Sequence, residues 1–396
     1  AALDADNGTY DAWFWAHPPV YMPEACNLED CAFIKEKVNI PVICAGRMED
    51  PAADDKAIRE GKIDAIGLAR SLLANPYWPK KAMNDKAEHI RPCIACHVGC
   101  LQRIFNMKDM SCALNPACCN EKAYELKPTA SPKNVMVICG GIAGMETARV
   151  CALRGHRVDL YEKSDRLGGM FIAASSMSFK KADRKLISWY EQQMKETGVT
   201  VHMNCNVTTD HVKLENPDVV YVATGSAPRI LSGVPGSDSP HVVSAVDALL
   251  GKKPIGEHVV IIGGGLTGIE IAYEQALTGK EVNVVEVLPE ILSKKEDLCA
   301  ANENMLRMAI EQYHIGIHTD TQIVQISEDS VTIEKDGKQT VLPSDTVISS
   351  IGYLSEHSLA EQLEDCGVQF ETLGDCDHVS NLMGAIWKAF ESASKI

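Results

Sequence analysis

One motif occurs twice in this chain of 396 residues and constrains the fold more than any other feature. Val135-Met136-Val137-Ile138 runs into Cys139-Gly140-Gly141-Ile142-Ala143-Gly144, then a helix-like stretch to Arg154, then Val158-Asp159-Leu160-Tyr161-Glu162. Val259-Val260-Ile261-Ile262 runs into Gly263-Gly264-Gly265-Leu266-Thr267-Gly268, a helix-like stretch to Leu277, and Val282-Asn283-Val284-Val285-Glu286. In both copies the acid stands 18 residues after the last glycine. Each copy reads as strand, glycine turn, helix, strand, which is a parallel βαβ unit. The glycines let the backbone turn tightly and approach a pyrophosphate seated on the helix N-terminus, while the acid accepts hydrogen bonds from ribose hydroxyls. Two dinucleotide sites are the expectation; the competing reading is two ordinary βα turns.

The copies differ at their first position. Cys139 stands where the pattern has glycine, and if the backbone needs a positive φ there, a Cβ costs on the order of 1 kcal/mol. The first site is expected to survive in weakened form, with Gly141, Gly144 and Glu162 as its residues. Arg166-Leu167-Gly168-Gly169 offers a second backbone approach to a phosphate-bearing ligand, through Gly169. The second site is intact in Gly263, Gly265, Gly268 and Glu286, and Val287 and Leu288 follow the acid instead of an arginine. A carboxylate at the ribose repels a 2′-phosphate, so NADH is expected over NADPH. Val222-Ala223-Thr224-Gly225 ends a strand leading out of the first unit. Near the end, Gly374-Asp375-Cys376 precedes a helix expected from Asn381 to Ala393. Asp375 would meet a flavin ribityl chain; the alternative is a plain turn or N-cap residue.

The 15 cysteines carry the second signal. Four follow the pattern Cys93-x2-Cys96-x3-Cys100-x11-Cys112. Thiolates so spaced can wrap one soft metal centre, an iron–sulfur cluster or zinc, or they are buried free cysteines acting as small hydrophobes. Cys118 and Cys119 read as spare thiols, and Cys26, Cys31 and Cys44 as structural. Asp plus Glu number 54 against 38 Lys plus Arg, a net charge of −16, which disfavours nucleic acid and anionic membranes as partners. No apolar run approaches the ~18–20 residues of a spanning helix. Ala1 to Tyr10 is polar and acidic, with no secretory signal, and the chain lacks an initiator Met. The expectation is a cytoplasmic protein whose given sequence is the back part of something longer.

Before the first fingerprint the pattern is again βα. Ile40 to Arg47 reads as a strand ending in a Gly-Arg turn, Pro51 to Glu60 as a helix, and Asp64 to Arg70 as a strand with a similar end. The Cys-rich stretch that follows closes in the linker-like Lys127-Pro-Thr-Ala-Ser-Pro132.

The run Arg91-Pro92-Cys93-Ile94-Ala95-Cys96-His97-Val98-Gly99-Cys100-Leu101, continued by Ser111-Cys112-Ala113-Leu114-Asn115-Pro116, resembles the iron–sulfur segment of bacterial 2,4-dienoyl-CoA reductase, 2-enoate reductase and trimethylamine dehydrogenase. The resemblance covers nearly the whole chain. It implies an α/β protein: a partial (β/α)8 barrel with only its C-terminal units, an iron–sulfur segment, and two Rossmann-like domains. In that scheme residues 1–90 are the end of an FMN barrel and 91–132 the 4Fe-4S segment. Residues 133–250 begin the FAD domain, 251–345 form the inserted NAD(H) domain, and 346–396 return to the FAD domain. The cluster ligands would be Cys93, Cys96, Cys100 and Cys112. FAD would take Gly141, Gly144, Glu162, Gly169 and Asp375; NADH would take Gly263, Gly265, Gly268 and Glu286. A βα barrel binds phosphate after strands 7 and 8, so Gly46, Arg47 and Arg70 are assigned to FMN, against a reading of either arginine as a surface charge. Trp13-Phe14-Trp15-Ala16-His17 would be an aromatic loop over the flavin, with His17 donating to a substrate carbonyl or being a plain loop histidine.

The activity implied is NADH-dependent reduction of the C=C bond of an α,β-unsaturated carbonyl compound, as in anaerobic bacteria, through FAD, the cluster and FMN. Two alternatives stand: a dehydrogenase of an amine or other substrate sending electrons outward, and an NADH diaphorase or electron-transfer subunit. The expected partners are NADH, a small unsaturated molecule and, as a candidate, a second copy of the chain.

Overall fold

The computed structural model describes residues 1–293 and 298–396. The N-terminal segment contains three parallel strands, β1 (Leu3–Ala5), β2 (Val42–Cys44) and β3 (Ala65–Ile66), paired in that order. Neighbours in sequence that pair in parallel through helical crossovers are consecutive units of a βα barrel. The helix Pro51–Arg59 forms as expected, because Asp50 caps it by accepting from the N–H of Ala52 at 3.2 Å and of Ala53 at 3.4 Å, and Pro51 suits the first turn. Trp13–Ala16, expected as loop, makes a helical turn. The Trp13 ring stands edge-on to His17 and to Phe105, with centroids 5.1 and 4.9 Å away, and these contacts order the segment.

The first fingerprint lies in a five-stranded sheet. Its strands are β4 (Asn134–Ile138), β5 (Arg157–Tyr161), β6 (Thr200–His202) and β7 (Val219–Val222), joined at the edge by a late strand, Glu371–Thr372. The chain then leaves through β8 (Ser226–Pro228) into a second five-stranded sheet. That sheet contains β9 (Val242–Ser244), β10 (His258–Ile262), β11 (Glu281–Val285), β12 (Gly316–His318) and β16 (Thr346–Ser349), in the order β12-β11-β10-β16-β9. Between β12 and β16 an antiparallel meander intervenes: β13 (Gln322–Ile326), β14 (Ser330–Lys335) and β15 (Lys338–Pro343). β17 (Tyr353–Ser355) pairs antiparallel with β8, and β18 (Glu371–Thr372) completes the first sheet.

Both large sheets are parallel throughout and covered on both faces. Central strands buried on two sides must be continuously apolar, and Val135–Ile138 and Val259–Ile262 are at most 8% exposed. The span 251–345 expected for the second domain is too narrow, because β9 and β16 belong to its sheet on either side of that span. These strands are three and four residues long and lie outside the βαβ pattern, so local periodicity does not reveal them. No helix among the described residues is long and apolar enough to cross a membrane.

The three parts are joined by buried polar contacts. The Glu270 carboxylate, on the helix Leu266–Leu277, accepts from Tyr21 Oη at 2.9 Å and pairs with Lys180 Nζ at 2.8 Å. Tyr21 belongs to the barrel segment and Lys180 precedes the helix Lys181–Glu196 of the first module. A buried ion pair repays its desolvation only with good geometry and further hydrogen bonds, and here one carboxylate answers to both neighbours. The contact fixes how the parts sit together.

Candidate functional site

The two glycine turns have the same internal construction. After β4 the backbone turns through Cys139 (φ +89°), and Gly141 opens the helix Ile142–Leu153. A Cβ on Gly144 would lie 1.9 Å from the Cys139 carbonyl oxygen, and one on Gly140 would lie 2.3 Å from a Leu167 methyl. After β10 the turn runs through Gly263 (φ +108°), and Gly265 opens the helix Leu266–Leu277. A Cβ on Gly268 would lie 2.0 Å from the Gly263 carbonyl oxygen. Each helix N-terminus is thus bare backbone, a cradle for pyrophosphate that any side chain would fill.

The two acids are held alike. Glu162 accepts from the N–H of Gly140 and of Ser164, both at 2.8 Å. Glu286 accepts from the N–H of Gly264 at 2.7 Å and of Leu288 at 2.8 Å. Burial works against the Glu162 charge, but the Ser164 and Gly140 donors outweigh it and keep its pKa below the usual value. The Cys139 thiol donates to Glu162 at 3.6 Å, and burial pushes that thiol up to about 12, so it stays protonated.

Gly168 and Gly169 close over the first turn. Gly168 N–H donates to the Gly140 carbonyl at 2.9 Å, and a Cβ on Gly169 would lie 3.1 Å from the Gly141 Cα. The return segment arrives beside them, where a Cβ on Gly374 would lie 2.8 Å from the Ala143 Cβ. Asp375 is held there by Ser226 Oγ at 3.1 Å and the Ser380 N–H at 3.1 Å. The last helix, Leu382–Ala393, packs on Ile142–Leu153 and is capped by Asn381 at 3.0 Å from the Gly384 N–H. The structure therefore brings Gly141, Gly144, Glu162, Gly169 and Asp375 to one end of the first sheet. These residues fit an FAD whose phosphates lie on the glycine turn, and the second set fits NADH in the same way.

The four cysteines line one pocket together with Arg70, His97 and Gly99. Gly99 lets the two arms of the motif touch, since a Cβ there would lie 2.2 Å from the Ala113 nitrogen. The loop also carries two non-glycine residues at positive φ, Ala95 (+50°) and His97 (+61°), a strained backbone of the kind that clusters at functional sites. The first module anchors the loop: Trp387 Nε1 donates to the Cys112 carbonyl at 3.1 Å, and the Arg91 guanidinium lies 4.5 Å over the Trp189 ring. Asn115 Nδ2 reaches back to the Leu73 carbonyl of the barrel segment at 2.9 Å. Burial pushes all four thiols above their usual value, Cys96 to about 12. Such thiols become thiolates only against the positive charge of a bound metal centre. Among the described residues no three His, Cys, Asp or Glu side chains converge on a single-ion site. Four soft ligands around one cavity fit a polynuclear 4Fe-4S core.

The residues assigned to FMN lie at the ends of β2 and β3. Gly46 is at φ +111° and packs on Asn27. Arg47, 5% exposed and at φ +57°, turns its Nη1 to the carbonyls of Pro19, Val20 and Met22. Arg70 donates through Nη1 to the Pro18 carbonyl at 2.7 Å and to His97 Nε2. His17 closes the Trp13–Ala16 turn. Half burial lowers its pKa, and the positive charge of Arg70 lowers it further, so the ring is neutral near pH 7. Sequence reasoning missed His97, Asn302, Glu270, Lys180 and Tyr21; no local signal marks them, because the contacts Lys180–Glu270, His97–Asn302 and Tyr21–Glu270 join residues 90 to 249 positions apart.

Residues 98–220 and 214–377 match the pyridine nucleotide-disulphide oxidoreductase family, and residues 9–89 match the NADH:flavin oxidoreductase / NADH oxidase family. The chain is 41% identical over 395 residues to a cinnamate reductase of Clostridium sporogenes, covering 100% of this chain and 59% of that protein. It is 36% identical over 348 residues to a bilirubin reductase of Mediterraneibacter gnavus, covering 87% of this chain and 53% of that protein. A solved complex of 2-naphthoyl-CoA reductase with 2-naphthoyl-CoA superposes with a TM-score of 0.91 at 31% identity, covering 100% of this chain and 60% of that one. The chain thus spans 53–60% of the length of these proteins.

Proposed function

The chain belongs to the pyridine nucleotide-disulphide oxidoreductase family, in its 2-enoate reductase-like flavoprotein branch, and on that premise we propose that it is the electron-input part of an NADH-dependent ene-reductase. The substrate class is an α,β-unsaturated carbonyl compound with an aryl substituent, as an acid or a thioester. The observation that carries the reading is the common placement of three cradles. A pocket of four cysteines is lined also by Arg70 and Leu73 of the barrel segment, Ile94 and Leu114 beside it pack in one core with Ile142 and Ala143 after the first glycine turn, and a second glycine turn follows in the same chain.

When bound, FAD, the 4Fe-4S cluster and FMN supply hydride acceptance, single-electron relay and hydride delivery. The residues of this chain bind and orient. Gly263, Gly265 and Gly268 hold the NADH pyrophosphate, and Glu286, its charge aimed by two N–H donors, takes the ribose hydroxyls and excludes a 2′-phosphate. Gly141, Gly144, Gly169 and Glu162 hold the corresponding part of FAD, and Asp375 holds its ribityl chain. Cys93, Cys96, Cys100 and Cys112 hold the cluster. Gly46, Arg47 and Arg70 would hold the FMN phosphate. The neutral His17 is the donor to the substrate carbonyl. By sheet membership the NAD(H) module takes 242–349, between the two FAD-binding segments, with 1–90 as barrel and 91–132 as cluster segment.

The test uses the full-length protein, purified anaerobically. NADH should bleach its flavin absorption, and an aryl enoate such as cinnamate, or an aryl-CoA thioester, should restore it. Absence of bleaching by NADH overturns the reading. Dye reduction by NADH without turnover of any enoate would favour the diaphorase instead.

A further inference from the structure

His97 is a histidine between two of the clustered cysteines, and both of its ring nitrogens are engaged in the interior. It is 1% exposed. Nε2 faces Arg70 Nη1, which can only donate, so Nε2 is the acceptor and the ring proton sits on Nδ1. Nδ1–H then donates to Asn302 Oδ1 at 2.6 Å. Asn302 in turn donates from Nδ2 to the Ala95 carbonyl of the same loop at 3.5 Å. Arg70 comes from the end of β3 in the barrel segment, and Asn302 from the helix Ala300–Gln312 of the second nucleotide module, 205 residues away. Both reach this ring, which projects from a strained backbone position and lines the cysteine pocket.

We propose that His97 is a positioning residue that registers the cluster loop against the FMN-phosphate arginine on one side and the NADH-binding module on the other. This rests on the function proposed above. The requirement is for one acceptor towards Arg70 and one donor towards Asn302, on a planar group short enough for the space. A neutral imidazole meets it. A glutamine carboxamide meets it as well, with its oxygen towards Arg70 and its NH2 towards Asn302. A leucine fills the volume and meets neither demand, leaving Arg70 and Asn302 with one fewer partner each. Replacing such an outer partner of a metal loop weakens what the loop holds by roughly 10–100-fold.

The experiment compares His97→Leu, His97→Gln and Asn302→Leu in the full-length protein, purified anaerobically. Three quantities are read: FMN dissociation by flavin fluorescence, the rate of iron release to a chelator, and FAD per chain. In H97L, FMN should bind roughly tenfold more weakly and iron should leave roughly tenfold faster, with FAD content unchanged. N302L should shift both in the same direction by less, and H97Q should restore most of both. A purely structural role would lower FAD content in step, and Gln would not rescue it. Wild-type FMN affinity and iron release in both H97L and N302L overturn the inference, as does H97Q failing as badly as H97L. If H97L does not fold, N302L against wild type carries the test. A wild-type protein holding neither iron nor FMN overturns the underlying functional reading, a result separate from these.

Discussion

The two glycine turns are built alike, and one glycine of the second, Gly263, is replaced in the first by Cys139. At Gly263 a Cβ would lie 2.3 Å from the Ser350 carbonyl oxygen, where the chain leaves β16, so glycine is demanded by space as well as by φ. At Cys139 the backbone has the same left-handed sign, and a side chain is present. Its thiol bonds to Glu162, the acid expected to hold the ribose. The fingerprint's first glycine therefore has two separable causes, conformation and crowding. The first module retains only the conformational one.

Exchanging the residues is the hardest test of that comparison. Gly263→Cys adds an unfavourable φ to a clash with backbone that cannot swing away, and should destabilise the second module by about 3 kcal/mol. It should abolish NADH bleaching while FAD stays bound; thermal unfolding and an NADH titration check it. Wild-type affinity would mean that crowding is no constraint there. Next comes Glu286→Arg, which removes one charge-assisted contact and offers another to a 2′-phosphate. It should move the NADH-to-NADPH preference, read as the ratio of kcat/KM values, by roughly tenfold or more.

A smaller effect is expected from pH. Glu162 has its folded pKa below the unfolded value, so its contribution is present above the unfolded pKa and lost as pH falls through the folded one. FAD release on acidification should therefore begin below the ordinary carboxylate range, and Glu162→Gln should remove that step from the profile. The smallest effect is Cys139→Gly. It relieves the strained φ but adds freedom to the unfolded chain, for a net stabilisation of about 0.5 kcal/mol, seen as a small rise in Tm with FAD retained. A destabilisation above about 1 kcal/mol would instead give the thiol–Glu162 bond the larger role.

Much of the candidate site was legible because its signals are local. Gly141, Gly144 and Glu162, like Gly265, Gly268 and Glu286, occupy fixed positions along one βαβ unit, where the chemistry of a turn and a strand end depends on near neighbours. Cys93, Cys96 and Cys100 are close in sequence, and Gly99 completes their meeting with Cys112. Asp375 was singled out by the turn and helix that follow it. The edges of the second module were not, because β9 and β16 are short and are recruited by pairing with a sheet formed elsewhere in the chain.

The sequence by itself determined the repeated nucleotide-binding unit, the cysteine quartet and the order of modules, since glycine placement, strand hydrophobicity and thiol spacing act over a few residues. Tertiary structure alone decided which modules touch and through what. Tyr21 meets Glu270 across 249 residues, and His97 meets Asn302 across 205. Each of these groups is polar, buried and satisfied by a partner from another module. Such pairing is set by how packed surfaces come together, because a buried polar atom must find a partner wherever the fold delivers one.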